Sequence, residues 1–328
     1  MSAREKRRRG GRGERLMVPE AEFRSYYDRP IIKPPVWKVP DVPGYLYLGG
    51  MAGVTAMLGE LGSVSGRPAL RRVGRLASAG GAVASVVFLI HDLGRSERFL
   101  NMMRVIKPTS PLSVGSWILA PFGALAGATA ASEVTGLLPG VARFTGAGAG
   151  LLGPALTTYT AVLLSDTAVP AWHDAHRELP YLFAASALAS GGGVGLLAGL
   201  PDREVRPARR VAVAGAVAEL AVSEMLERRI GYSARAYRTG RAGTVLRAAR
   251  AGTALGGLAA TASGLLRGRR GRIAGALGGL LLNASAAATR YGVFEAGMAS
   301  ARDPAYTVVP QRTRLAESGG TSVSGCRA

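Results

Sequence analysis

The chain has 328 residues, is 48% hydrophobic and carries a net charge of +20. Its single cysteine, Cys326, excludes an iron–sulfur cluster or a thiolate zinc site held by this chain alone, and an internal disulfide. The basic residues stand at the chain start or in short gaps between uncharged stretches. Lys and Arg flank membrane spans in this way, whereas a nucleic acid would need them on one face of a folded domain, so no nucleic-acid partner is expected.

The first residues, MSAREKRRRGGRGERL, begin like the charged segment of a secretory signal, but no apolar segment follows. Residues 1–40 therefore read as a polar, basic N-terminal tail without a cleavable signal peptide. A transmembrane helix needs ~20 mostly apolar residues. Charge-free runs of about that kind follow in order. The first is 42–59, closed by Glu60, and the second is 76–90, which reaches span length if Arg75 snorkels. The third lies within 114–132, the fourth is 144–165 and the fifth is 179–200. The sixth is the weakest, because 211–218 is interrupted by Glu219 and Glu224. The seventh is 251–266 and the eighth 273–289, ended by Arg290. Connections of mostly 8–20 residues separate them.

Runs 144–165 and 179–200 have no charge on any face, whereas a helix of a soluble bundle would carry a solvated charged stripe. Glycines at 49, 50 and 53, and small residues over 190–193, suit close helix approach in lipid. The expected fold is an all-α integral membrane protein, a bundle of about eight transmembrane helices over residues 41–297, with a C-terminal tail over 298–328. An even number of spans puts both termini on one side. The expected location is the cell membrane, with multiple passes through the bilayer.

Ionisable groups inside a bilayer are costly and mark functional positions. Glu60, His91, Asp92, Glu133, Asp166, Glu219, Glu224 and Arg290 are the candidates, and those at helix ends also fit plain interfacial roles. Glu219 and Glu224 stand ~140° apart around a helix, too far to serve one ligand. Glu219 should face the bundle, with Arg290 as a candidate partner, while Glu224 leads into the interfacial cluster of Glu227, Arg228 and Arg229. The three histidines, His91, His173 and His176, do not form the paired intrahelical set of a b-type haem. No phosphate loop, nucleophile elbow, HExxH or CxxC pattern is present.

Four stretches carry a resemblance. PPVWKVPDVPGYLYLGGMAG at 34–53 has a Trp ahead of a tyrosine-bearing helix start. HDLGRSERFLNMMRVIKPTSPLSVGSW at 91–117 joins a DLGR loop to a GSW helix entry. YTAVLLSDTAVPAWHDAHRELP at 159–180 and ARDPAYTVVPQR at 301–312 complete the set. Together they resemble the NrfD/PsrC family, the membrane subunits of polysulfide reductase and related complexes, with Ser96 where that family usually has proline. The resemblance implies a subunit that has no haem, iron–sulfur cluster or metal of its own. It implies anchorage of a ferredoxin-like iron–sulfur subunit, itself serving a molybdopterin-type catalytic subunit of formate dehydrogenase-like or polysulfide reductase-like kind. It implies electron exchange with a quinone, menaquinone or ubiquinone, in the bilayer.

Tyr159 matches the family position whose phenol contacts the quinone. Tyr45 is a second candidate, and Tyr47 a weaker one for which an interfacial aromatic belt is the competing reading. His173 joins the quinone-binding candidates, and with Asp166 and Asp92 gives protons a route to the aqueous side, a task that suits imidazole near neutral pH. Asp92, Asp166, Glu133, Glu219 and Arg290 are the proton-pathway candidates. Two readings compete with this one: a transporter or ion-translocating protein using Glu219, Glu224 and Arg290, and a purely structural anchor. Transporters often show repeated halves, and no internal repeat is evident in the sequence. Basic residues are heavier on the terminal side, which favours cytoplasmic termini, while relatives with exported catalytic subunits place that side outside.

Overall fold

The computed structural model describes residues 30–95 and 97–322. The helices run α1 (Asp41–Val64), α2 (Pro68–Leu93), α3 (Glu97–Met102), α4 (Pro111–Thr135), α5 (Pro139–Ser165), α6 (Pro170–Asp174) and α7 (Leu179–Leu197). They continue as α8 (Asp202–Arg229), α9 (Ala234–Arg238), α10 (Gly240–Leu265), α11 (Gly268–Arg302) and α12 (Ala305–Ser322). No strand occurs among the described residues. Proline stands in the first turn of α2, α4, α5 and α7, where its missing N–H leaves no bond unmade. Gly136 ends α4 at φ +72°, a left-handed turn that a side chain would strain.

Each expected apolar run falls on one long helix, α1, α2, α4, α5, α7, α8, α10 and α11, and only the fifth and seventh runs extend past a helix end, at Leu197 and Leu265. Four of these, α2, α4, α5 and α7, are long and apolar enough to cross a membrane. Large apolar side chains lie exposed on α2 (Val83, Val87), α5 (Phe144, Leu151), α10 (Leu255, Leu258) and α11 (Leu277, Leu280). A lipid environment accepts such surfaces, and every helix satisfies its backbone internally as lipid requires.

The long helices pack as two rings of four. In the first, α1 meets α2, α2 meets α4, α4 meets α5 and α5 closes on α1. In the second, α7, α8, α10 and α11 repeat that order and α11 closes on α7. The rings join where α1 meets α7 and α11, and where α5 meets α7. Small residues make these contacts close: Gly53 of α1 faces Gly153 of α5, and Gly193 of α7 faces Gly279 of α11. Only the order of neighbours recurs, and which helices become neighbours is not written along the sequence.

Three boundaries differ from the sequence expectation. The connections 65–67, 136–138, 198–201 and 266–267 are far shorter than 8–20 residues, because the helices run on past their apolar segments into charged residues. The long connections, 94–110, 166–178 and 230–239, all gather at the end of the bundle where α1 begins and α11 finishes. Contacts from Trp37 to Trp172 and from the Ala171 N–H to Ser300 Oγ hold that end together. Finally, α11 continues through Arg290 to Arg302, and most of the expected tail is α12. Arg290 does not end the helix because its guanidinium is buried, donating to the Phe183 carbonyl at 2.7 Å and lying 3.7 Å over the Phe183 ring.

Candidate functional site

The four stretches that carry the resemblance lie far apart in sequence and come together at the terminal end. Trp37, in the extended entry to α1, stacks on Trp172 of α6 at 5.5 Å. The Lys38 N–H donates to Asp92 Oδ1 at 2.9 Å, and His91 Nδ1 lies 2.7 Å from the buried Asp41 carboxylate. The first stretch is thereby tied to the end of α2. Trp172 is fully buried, donates from Nε1 to the Val293 carbonyl at 2.8 Å, and sits so close to Gly297 of α11 that a methyl group there would overlap the indole. Tyr306, at the start of α12, packs edge-on to Tyr232 at 5.5 Å. Tyr237 donates to the Ala171 carbonyl at 2.9 Å, and burial, with the Asp174 and Glu178 carboxylates nearby, pushes its phenol well above the usual tyrosine range. It therefore stays protonated and holds α6 in place.

Beside this clamp a cavity of about 730 Å³ opens between the start of α4 and the end of α5. Its walls are mostly apolar, with Val114, Ile118, Ala155 and Val162 among them. Its polar groups include Tyr159, Asp166, His173 and His176, with the hydroxyl residues Thr109, Thr158 and Ser165. An apolar cavity with a few convergent polar groups is the usual form of a small-molecule site. The Tyr159 hydroxyl is buried and has no hydrogen-bond partner among the described residues. A buried hydroxyl left unpaired costs ~1–3 kcal/mol, so a native site that keeps one calls for an explanation. The Tyr159 ring is held by Gly115 of α4, where a methyl group would overlap it, and by Tyr45, edge-on at 6.4 Å. His173 Nδ1 lies 3.3 Å from the Ser165 carbonyl and His176 Nδ1 2.9 Å from the His173 carbonyl. A carbonyl only accepts, so these contacts place the ring proton on Nδ1 and leave Nε2 as the basic nitrogen.

Three of the residues singled out from the sequence, Tyr159, Asp166 and His173, thus line one cavity. Tyr45 supports Tyr159 from behind and does not line it. Tyr47 donates to Asn283 of α11 at 2.7 Å and so ties the two rings together. Asp92 fastens the entry segment, as above. Glu133 lies at the opposite end of the bundle, bonded by Arg71 and Arg75. Glu219 is buried in the second ring and accepts from Thr289 Oγ1 at 2.7 Å. Its carboxylate also lies beside the Ser186 and Thr253 hydroxyls, and close to Arg290, whose Nε and Nη1 have no hydrogen-bond partner among the described residues. Glu224 is exposed and paired with Arg228 at 2.7 Å, as its neighbourhood of charges suggested. Sequence reading missed the parts played by His176, which enters the cavity, and Gly115, which seats Tyr159. The only signal for Gly115 was its place in the GSW helix entry. Among the described residues no three His, Cys, Asp or Glu side chains converge as metal ligands.

An all-helical bundle with membrane-length apolar helices defines a multi-pass membrane protein, here with a mostly apolar cavity at one end. The family model described as "Polysulphide reductase, NrfD" matches residues 31–226, more than half of the chain. The chain belongs to this family of membrane subunits of molybdoenzyme complexes. Comparison with curated proteins finds no match.

Proposed function

We propose that this chain exchanges electrons between an iron–sulfur partner docked on the terminal end and a membrane quinone held in the α4–α5 cavity. The unpaired, buried Tyr159 hydroxyl carries the reading. Tyr159 lines an apolar cavity large enough for a quinone ring, with its hydroxyl buried in the cavity wall, at the end of the bundle where the long connections collect. A quinone supplies a carrier of two electrons and two protons. Tyr159 hydrogen-bonds a headgroup oxygen, and the His173 imidazole, with its free Nε2, takes or returns the accompanying proton. His176 and Asp166 extend that route towards water. Glu219 and Arg290 are stations for protons deep in the second ring, and Glu133, held by Arg71 and Arg75, is one at the opposite end of the bundle. The docked partner is a ferredoxin-like iron–sulfur subunit, with a molybdopterin-type catalytic subunit beyond it.

A photoreactive quinone analogue is expected to label peptides spanning 108–118 and 155–176, with excess menaquinone or ubiquinone suppressing the label. Labelling confined to other helices, or label that excess quinone leaves untouched, overturns the assignment. The reading also takes all eight long helices as spans, with both termini on one side. Maleimide should then reach Cys326 and an introduced Val36→Cys from the same face of a sealed vesicle, and Val64→Cys from the other. Opposite accessibility of Val36→Cys and Cys326 rules out an even number of spans.

A further inference from the structure

Two of the chain's three histidines, His173 in α6 and His176 in the turn that follows it, line the same cavity. Their ring centres lie 5.9 Å apart, with the planes tilted by 32°. Each ring engages a backbone carbonyl through Nδ1, His173 that of Ser165 at 3.3 Å and His176 that of His173 at 2.9 Å. Since a carbonyl only accepts, both ring protons sit on Nδ1 and both Nε2 atoms carry a lone pair. Both side chains are exposed, so an ion from the aqueous side can reach them.

A histidine that ligates a metal through one nitrogen ordinarily donates its other N–H to a carbonyl or carboxylate, which fixes the tautomer and the ring direction. Both rings are already set in that way. Their spacing suits a single ion. With Zn–N bonds of ~2.0–2.1 Å, two imidazoles on one Zn²⁺ have ring centres about 5–6 Å apart, and the observed 5.9 Å lies in that range. The cavity's charge favours a cation, because Asp166 lines it and no lysine or arginine does. The donor atoms choose the ion. Neutral imidazole takes Zn²⁺ or Cu²⁺, whereas Mg²⁺ and Ca²⁺ take oxygen ligands. No third His, Cys, Asp or Glu converges with the pair among the described residues, so water completes the coordination and the ion stays exchangeable.

We propose that His173 and His176 together bind one Zn²⁺ through their Nε2 atoms, and that filling this site inhibits quinone turnover. The ion takes the lone pair through which His173 exchanges the quinone's proton; the inhibition rests on the function proposed above, while the binding itself does not. The test titrates Zn²⁺ into the full-length protein in detergent, free of any affinity tag, against a chromophoric chelator. One Zn²⁺ should bind per chain, and excess Mg²⁺ should leave it in place. His173→Gln and His176→Gln should each weaken binding by at least about tenfold, since removing even an outer-shell partner costs about 10–100-fold. His91→Gln, which removes the third histidine at the same end but outside the cavity, should leave binding unchanged. Cu²⁺ in place of Zn²⁺ should show coupling to two nitrogens in its electron paramagnetic resonance spectrum, and to one in either cavity variant. In membranes holding the assembled complex, Zn²⁺ should suppress turnover with a quinone analogue, spare turnover with a soluble dye, and be reversed by a chelator. Zn²⁺ held as tightly by the two cavity variants as by the parent, or lost with His91→Gln, overturns the site. Quinone turnover unchanged with the site filled, while the photoreactive analogue still labels the cavity, overturns the inhibition. A cavity that the analogue does not label overturns the quinone reading instead, and Zn²⁺ binding by the pair then still supports the metal site.

Discussion

Tyr159→Phe is expected to lower quinone-linked turnover by about one to two orders of magnitude while leaving the fold intact. The hydroxyl has no partner among the described residues, so removing it breaks no bond inside the chain. The ring keeps its contacts with Gly115 and Tyr45. Thermal stability should match the parent or rise slightly, since an unpaired buried hydroxyl is a cost. In the complex with quinone, the substitution leaves a headgroup oxygen unsatisfied, at ~1–3 kcal/mol. At ~1.4 kcal/mol per tenfold in rate, that is the expected loss. Electron transfer from the catalytic subunit to a soluble dye does not visit the cavity and should be unchanged. Turnover with a quinone analogue and with the dye, measured in the same membranes, separates the outcomes. Unchanged quinone turnover removes Tyr159 from the site. Equal loss of both contradicts the expectation of an intact fold.

Gly297→Ala should have the opposite pattern, with every activity lost together. A methyl group on Gly297 overlaps the indole of Trp172, which is fully buried. α11 has little freedom to retreat, because it packs on α7 and α10. The indole must therefore leave its place. It gives up the hydrogen bond to Val293 and the stack on Trp37, and α6 with His173 moves with it. Overpacking of this kind costs ~1–3 kcal/mol, and the lost hydrogen bond adds ~1 kcal/mol. We expect a fall of several degrees in unfolding temperature, weaker retention of the iron–sulfur partner and loss of both quinone and dye turnover. Trp172→Phe in the Gly297→Ala background, with its smaller ring, should recover part of the stability. A Gly297→Ala protein as stable as the parent shows that the clamp is not where the terminal end is held.

The two variants separate chemistry from scaffold because the residues that resemble the family divide in the same way. Trp37, His91, Asp92 and Trp172 bind the termini of helices to one another, and Tyr159, Asp166 and His173 open onto the cavity. A motif match reports both kinds alike. It points to a region of the molecule without saying which side chain meets a substrate.

Sequence by itself was enough for the helical class and the positions of the eight long helices, because a charge-free run of span length has few structural solutions. It was enough for the family too, through short stretches whose residues are unusual together. It placed Tyr159, Asp166 and His173 as candidates, and these do share one cavity. It could not show that Asp92 is occupied by the Lys38 N–H, or that Tyr47 reaches Asn283, because both contacts join segments far apart in the chain. Helix ends were misjudged where charge was taken as a stop signal. Arg290 stays inside α11 because a carbonyl and an aromatic ring from α7 receive its guanidinium, and hydropathy along one chain segment carries no trace of that neighbour. The twofold ring arrangement and the seat of Tyr159 on Gly115 were decided by tertiary structure alone. Each depends on which helices become neighbours, and that is settled by how closely their small residues let backbones approach.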